Sequence, residues 1–181
     1  TRDRVGHRGE PVRWEGAALE WVVDQIEAAG RKVLAPPDGP SRGTVEIKAP
    51  SSSAPWFFHA RTAHPWLLDL NFRVPARAFS AAEVRRLIPL KVLDDCDELP
   101  IYGRQPRVTV RHSGTHTDDV RILIHRKTEI ATRGGREFIK RACKAYERLI
   151  RRLARDVAAR QPWKTNGRQW HLGQQAVPKT R

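Results

Sequence analysis

The side chains with the most chemical potential lie in the run "HSGTHTDD", where His112 and His116 stand just ahead of Asp118 and Asp119. Two imidazoles and two carboxylates are the donor types that a divalent transition metal takes. They fall in a polar, glycine-containing hairpin turn, where such groups are more often simply exposed, so no metal is expected there. A second group, Asp94, Asp95, Asp97 and Glu98, offers oxygen alone. It lacks the glycine and the ligand spacing of a calcium loop and reads as a solvated acidic loop. A metal nuclease needs carboxylates facing inward at strand ends, and only Asp69 is placed that way. His59 and His125 fall on predicted strands as half-buried structural residues. There is no GxxxxGK[ST] phosphate loop, no GxSxG elbow, no HExxH and no GxGxxG after a strand. Cys96 and Cys143 share no metal-binding or redox spacing and are expected as reduced thiols. The expectation is a chain with no catalytic set, no metal and no cofactor.

Charge is the stronger signal. The net charge is +14, and residues 133 to 181 hold 14 Lys/Arg against the three acids Glu137, Glu147 and Asp156, a net +11. The first 132 residues carry 20 cations against 17 acids, a net +3. Such concentration calls for a polyanion partner, nucleic acid first, or for an acidic neighbour in a parent protein. Between Arg136 and Arg160, Phe138, Ile139, Cys143, Tyr146, Leu149, Ile150, Leu153 and Val157 keep to one side of a helix. Arg141, Lys144, Arg148, Arg151, Arg152 and Arg155 keep to the other. At about 1.5 Å per residue this stripe runs roughly 20 to 25 Å, comparable to several successive phosphates of a duplex. The bland alternative is a solvated face, with Glu147–Arg151 and Asp156–Arg160 as ordinary i,i+4 pairs. Beyond it, "PWKTNGRQWHL" has Pro162 as a helix stop and Asn166-Gly167 as a turn, leaving Trp163 and Trp170 able to fold back on one surface. As anchors the two indoles would contribute about 2 to 3 kcal/mol each. As a binding element, an indole would stack on an unpaired base while Lys164 and Arg168 meet phosphates. Anchoring is the preferred reading of the two.

The elements that position these groups follow from periodicity. With 181 residues, 39% hydrophobic content, six Trp and five Phe, the chain can build a globular core. No run approaches the roughly 18 apolar residues of a membrane span, and "TRDRVGHRGEPVRWEG" has no signal-peptide core. A cytoplasmic protein without a membrane partner is expected. The absence of any Met suggests a domain cut from a longer reading frame. A helix is predicted over 15–30, with Leu19, Val22, Val23 and Ile26 at helical spacing and Gly30 as a left-handed stop. "APPDGPSRG" is a loop. Strands are predicted within 43–74 from "TVEIKAP", "WFFHART" and "WLLDLNFRV". The last alternates Trp66, Leu68, Leu70, Phe72 and Val74 against Leu67, Asp69, Asn71 and Arg73. A helix over 80–88 opens on the Ser80/Glu83 capping box. A hairpin over 106–126 joins "RVTVRHS" to "DVRILIHR" through the turn "GTHTD". The basic helix over 136–160 and the Trp-rich tail over 161–181 complete the chain. Hairpin-length connections predict a single α+β domain over 1–181, with one antiparallel sheet of about five strands and three packed helices. Its inner face should carry Trp66, Leu68, Leu70 and Phe72.

Three runs, "WFFHARTAHPWLLDLNFRV", "LPIYGRQPRVTVR" and above all "PWKTNGRQWHL", give the chain a family resemblance. Between Trp14 and Arg181 it resembles the C-terminal domain carried by a subset of UvrA-like proteins, the excinuclease ABC paralogues of bacterial nucleotide excision repair. UvrA proteins are ABC-type ATPases with zinc modules that scan DNA for lesions, whereas this chain has none of the Walker, signature or cysteine-pair motifs. The resemblance therefore implies a non-catalytic accessory domain appended after an ATPase core. Its partners would be DNA, the parent ATPase core and other repair proteins. The rival expectation is a docking module whose cations meet an acidic protein surface. A small hydrolase or nuclease is the least favoured class.

Overall fold

The computed structural model describes residues 10–30, 34–35, 43–51, 54–96, 99–100 and 105–159. In chain order these form α1 (Gly16–Gly30), β1 (Thr44–Lys48), β2 (Trp56–Arg61), β3 (Leu68–Pro75), α2 (Ala81–Leu87) and a 3-10 turn (Leu93–Asp95). Then follow β4 (Val108–His112), β5 (Thr117–Ile124), the one-turn α3 (Lys127–Ile130) and the long α4 (Arg133–Ala159). All strand pairings are antiparallel, in the order β1-β2-β3-β5-β4. The expected α+β class with one five-stranded antiparallel sheet holds.

Why β5 lies inside and β4 at the edge can be read from their side chains. In β5, Ile122, Leu123 and Ile124 are consecutively buried, as suits a strand covered on both faces. β4 ends in the exposed Arg111 and His112, which suit an edge. On β3, Leu68, Leu70, Phe72 and Val74 are fully buried, facing Ile124, Ile122, Val120 and Asp118 of β5. α4 lies on this face, with α1 and α2 packed against it. Its Phe138 ring meets Phe72 at 5.1 Å and Phe79 at 5.2 Å, and Tyr146 meets Phe57 at 5.0 Å. The Tyr146 hydroxyl donates to the Pro55 carbonyl and accepts from the Ala49 N–H at 3.3 Å, tying the helix to the β1–β2 connection.

Several local expectations are corrected. Trp66 precedes β3 and is only half-buried, outside the main core. His64 Nδ1 accepts from the N–H groups of Trp66 (3.2 Å) and Leu67 (3.1 Å), turning the chain before the strand begins. Trp66 then joins a small apolar cluster of Leu67, Leu93, Leu99 and Leu123 on the other side of the sheet. Gly30 is not a left-handed stop; among the described glycines positive φ occurs at Gly43 and Gly114. Gly30 is helical and buried, and a Cβ there would fall 2.5 Å from Cδ1 at the movable end of the Leu34 side chain. The β4–β5 turn is shorter than expected, because Thr117 and Asp118 belong to β5. Among the described residues the three expected helices are present, with the one-turn α3 in addition, and α4 starts at Arg133 instead of 136. On its apolar side Val157 is 55% exposed, so the packed seam ends before it. The predicted capping of α2 is present, with the Glu83 N–H donating to Ser80 Oγ at 3.1 Å. The tail over 161–181, with Trp163, Lys164, Arg168 and Trp170, lies outside the described residues.

Candidate nucleic-acid interface

α4 begins where Thr132 Oγ1 accepts from the Gly135 N–H at 3.0 Å, satisfying one of the free donors of its first turn. Gly134 is required by proximity: a Cβ there would fall 1.8 Å from the Leu87 carbonyl oxygen at the end of α2. Each glycine is disfavoured inside a helix by about 1 kcal/mol, which is why the adjacent pair hides the true start of α4 in the sequence. From this anchored end Phe138, Ile139, Ala142, Cys143, Ala145, Tyr146 and Leu149 face the core. Burial pushes the Cys143 thiol up to about 12 and raises the Tyr146 hydroxyl above its ordinary value.

The six predicted cations of the helix divide unevenly. Lys144, Arg148, Arg151, Arg152 and Arg155 are exposed. Arg141 is not: its guanidinium donates to Glu83 Oε1 at 2.6 Å and lies 5.1 Å from the Phe79 ring. It closes the seam between α2 and α4, and this bond together with its charge lowers the Glu83 carboxyl below its ordinary range. Arg141 thus has a structural role that the other five lack. Arg151 pairs with Glu147 at 2.5 Å as expected. Asp156 pairs with Arg152 at a loose 3.8 Å, while Arg160, its expected partner, lies outside the described residues. Among the described residues Lys144, Arg148 and Arg155 have no acidic partner.

The cations expected from the sequence leave out the first part of this face. Arg133, Arg136 and Lys140 are also exposed and continue it towards the N-terminus of α4. With Arg136, Lys140, Lys144, Arg148 and Arg152 following at steps of four, cations succeed one another along the helix. From Arg133 to Arg155 the face extends about 33 Å at ~1.5 Å per residue. The signal that could have revealed it is Thr132, a good helix N-cap immediately before the glycine pair.

On the sheet, several charges are matched. On the sheet face away from α4, Arg73 makes a bidentate pair with Asp119 (2.8 and 3.0 Å), donates to Ser113 Oγ at 2.9 Å and stacks 3.9 Å above the Trp56 ring. Arg121 pairs with Asp69 through two bonds of 2.9 Å. Asp69, the one carboxylate placed for a metal nuclease, is thereby engaged, and also accepts from Asn71 Nδ2 at 3.0 Å. His59 packs edge-on to Trp56 at 5.7 Å, and His125 Nδ1 lies 3.0 Å from the Trp66 carbonyl. The predicted His/Asp set is not simply exposed. His112 Nδ1 lies 2.8 Å from Asp118 Oδ1, and Asp118 is buried and accepts from the Arg77 N–H at 2.7 Å. Asp119 belongs to Arg73, and His116 is exposed at the turn. Among the described residues no three His, Cys, Asp or Glu side chains gather as metal ligands. Asp94 and Asp95 are exposed around the 3-10 turn; Asp97 and Glu98 lie outside the described residues. Among the described residues no helix is long and apolar enough to cross a membrane.

Compared with protein-family models, with curated proteins and with solved structures, the chain finds no match in any of the three.

Proposed function

We propose that this chain is a non-catalytic, cytoplasmic nucleic-acid-binding domain that lays the exposed face of α4 along the phosphates of DNA. The observation that carries the reading is the cation surplus on that face. α4 holds nine Lys/Arg and three acids, and Arg141 alone among the nine is half-buried, paired with Glu83 of α2. A row of cations about 33 Å long is comparable to one turn of duplex, about 34 Å. The resemblance to the C-terminal domain of UvrA-like proteins supports placing this activity in nucleotide excision repair, as an accessory domain beside an ABC-type ATPase.

The test replaces Lys144, Arg148 and Arg155 together by Glu and measures binding to duplex and single-stranded oligonucleotides by fluorescence anisotropy at several salt concentrations. These side chains are exposed and have no acidic partner among the described residues, so stability should change by no more than about 0.5 kcal/mol per site. Affinity should fall, and the log-log salt slope on duplex should become shallower by about 0.9 for each phosphate the variant no longer neutralises. Unchanged DNA binding by the triple variant refutes the reading.

A second reading has one observation in its favour. Val157 is exposed at the end of the same helix, so that end is both apolar and basic, as suits an acidic protein surface. A docking module of this kind would bind DNA poorly at any salt, and the triple variant would lose its hold on the parent ATPase or on another repair protein.

A further inference from the structure

At the end of the sheet where β3 and β5 meet α4 there is a cleft of about 380 Å³. Its walls are the turn after β3, the β4–β5 turn and one side of α4. Arg77, His116, Arg148 and Arg152 supply its polar groups, Ala145 and Leu149 part of its apolar lining, and no carboxylate lines it. The size is at the small end of the range for small-molecule sites.

Arg77 is the informative residue. It has φ +64, the only positive φ outside glycine among the described residues. L-residues with side chains seldom adopt this conformation, and glycine fits it far better. The backbone is held there from several sides. The Arg77 N–H donates to the buried Asp118 at 2.7 Å, and the Ala76 N–H donates to the His116 carbonyl at 2.8 Å, joining the two turns. Asp118 is in turn engaged by His112 at 2.8 Å. This network fixes the backbone of Arg77 while its side chain stays exposed, with no acidic partner among the described residues. Arg148 has none either, and Arg152 has only the loose pairing with Asp156 at 3.8 Å. Strained backbone that the surrounding structure over-determines is a recurrent property of ligand clamps.

We propose that this cleft is a phosphate-binding site. Three guanidinium forks and an imidazole lining one cleft suit a group with several acceptor oxygens and more than one negative charge, which a phosphate monoester carries near neutral pH. A lone carboxylate would leave most of these donors unused. The phosphate can come from the end of a nucleic-acid strand running onto α4, or from a free phosphate compound. The first source rests on the proposed function, because Arg148 and Arg152 also belong to the helix face; the second does not.

The experiment uses the whole chain and the variant Arg77→Gly. Glycine tolerates φ +64, so the variant keeps the turn and removes the guanidinium; Arg148→Gln serves as a second variant on a different element. Binding of inorganic phosphate is followed by calorimetry. Alongside it, two single strands of one sequence, one with a 5′-phosphate and one with a 5′-hydroxyl, are compared by anisotropy. The expected result is saturable phosphate binding that either variant weakens at least about tenfold, the worth of one charge-assisted hydrogen bond. If the 5′-phosphate strand also binds more tightly, and Arg77→Gly abolishes the difference, the strand end is the source. If the two strands bind alike while phosphate binding remains saturable and sensitive to both variants, the site stands and its ligand is a free phosphate compound. If neither strand binds but phosphate does, the cleft stands and the nucleic-acid reading of α4 falls. If phosphate binding is not saturable or is indifferent to both variants, the cleft proposal is overturned, however well the strands bind.

Discussion

Arg107 stands directly before β4 with its side chain only 2% exposed, and replacing it by Ala should be among the most damaging single changes in the domain. Its two terminal nitrogens donate to the two oxygens of Glu129 at 2.7 and 2.6 Å, and its Nε donates to the Leu123 carbonyl at 3.0 Å. Glu129 also accepts from the backbone N–H groups of His125 (2.7 Å) and Arg126 (3.1 Å), so one ion pair locks β4, the end of β5 and α3 together. Removing one partner of a buried pair leaves the other charge without compensation, at a cost of about 3 to 5 kcal/mol. For a domain of this size each kcal/mol is worth about 2 to 4 °C of Tm, so a drop of roughly 6 to 20 °C is expected. Urea unfolding should show a lower midpoint with an unchanged slope. The double change Arg107→Met, Glu129→Leu should recover much of the loss, because it leaves no charge stranded. Acid titration supplies an independent check. Burial pushes the Glu129 carboxyl up, but Arg107 and the two backbone donors outweigh it, and the net shift is below the ordinary value of 4.5. A depressed carboxylate stabilises the fold above its unfolded pKa and loses that contribution as pH falls through the folded value. The parent should therefore lose stability below about pH 4.5 through a component absent from Glu129→Gln. A loss under about 1 kcal/mol for Arg107→Ala would show that the pair does not act as a buried charge pair.

Two further outcomes follow from buried or strained groups. Cys143, whose thiol burial holds at about 12, should resist an aromatic disulfide reagent at pH 8 in the native state, while the half-buried Cys96 reacts; two thiols reacting at one rate would refute this. Arg77→Gly should leave Tm unchanged or raise it, since relief of left-handed strain, worth roughly 1 to 2 kcal/mol, offsets the greater backbone freedom of unfolded glycine. A clear fall in Tm would mean that the Arg77 side chain supports the fold.

The alternation in β3 and the two-sidedness of α4 are legible in the sequence because each depends on neighbours along the chain. What cannot be read there depends on cross-strand register. Arg73 meets Asp119 and Arg121 meets Asp69 only because β5, not β4, lies beside β3, and these partners are 46 and 52 residues apart. The same ordering puts Asp118 opposite Val74 on the inner face, where it becomes the buried acceptor beneath Arg77. Trp66 continues the period of two on paper, but the turn at His64 breaks that period before the strand begins. The cleft is invisible in the sequence for a related reason, since its cations come from a β-turn, a second turn and a helix far apart in the chain.

The division of labour among the arginines bears on what α4 is for. Those that hold the fold together each have a carboxylate: Arg73 with Asp119, Arg107 with Glu129, Arg121 with Asp69 and Arg141 with Glu83. These four pairs lie within the folded body, whereas α4 carries nine Lys/Arg against three acids, the densest run of cations among the described residues. There Arg136, Lys140, Lys144, Arg148 and Arg152 follow at steps of four, an arrangement in which each adjacent like-charge pair disfavours the helix by about 0.2 to 0.5 kcal/mol. Four such steps sum to roughly 1 to 2 kcal/mol against folding, reduced by salt and by the Glu147 and Asp156 pairs. Neutral polar residues would seat the apolar side of α4 equally well without that repulsion. The row is therefore not explained by the fold it belongs to, and a polyanion laid along it would remove the repulsion and gain attraction in the same step.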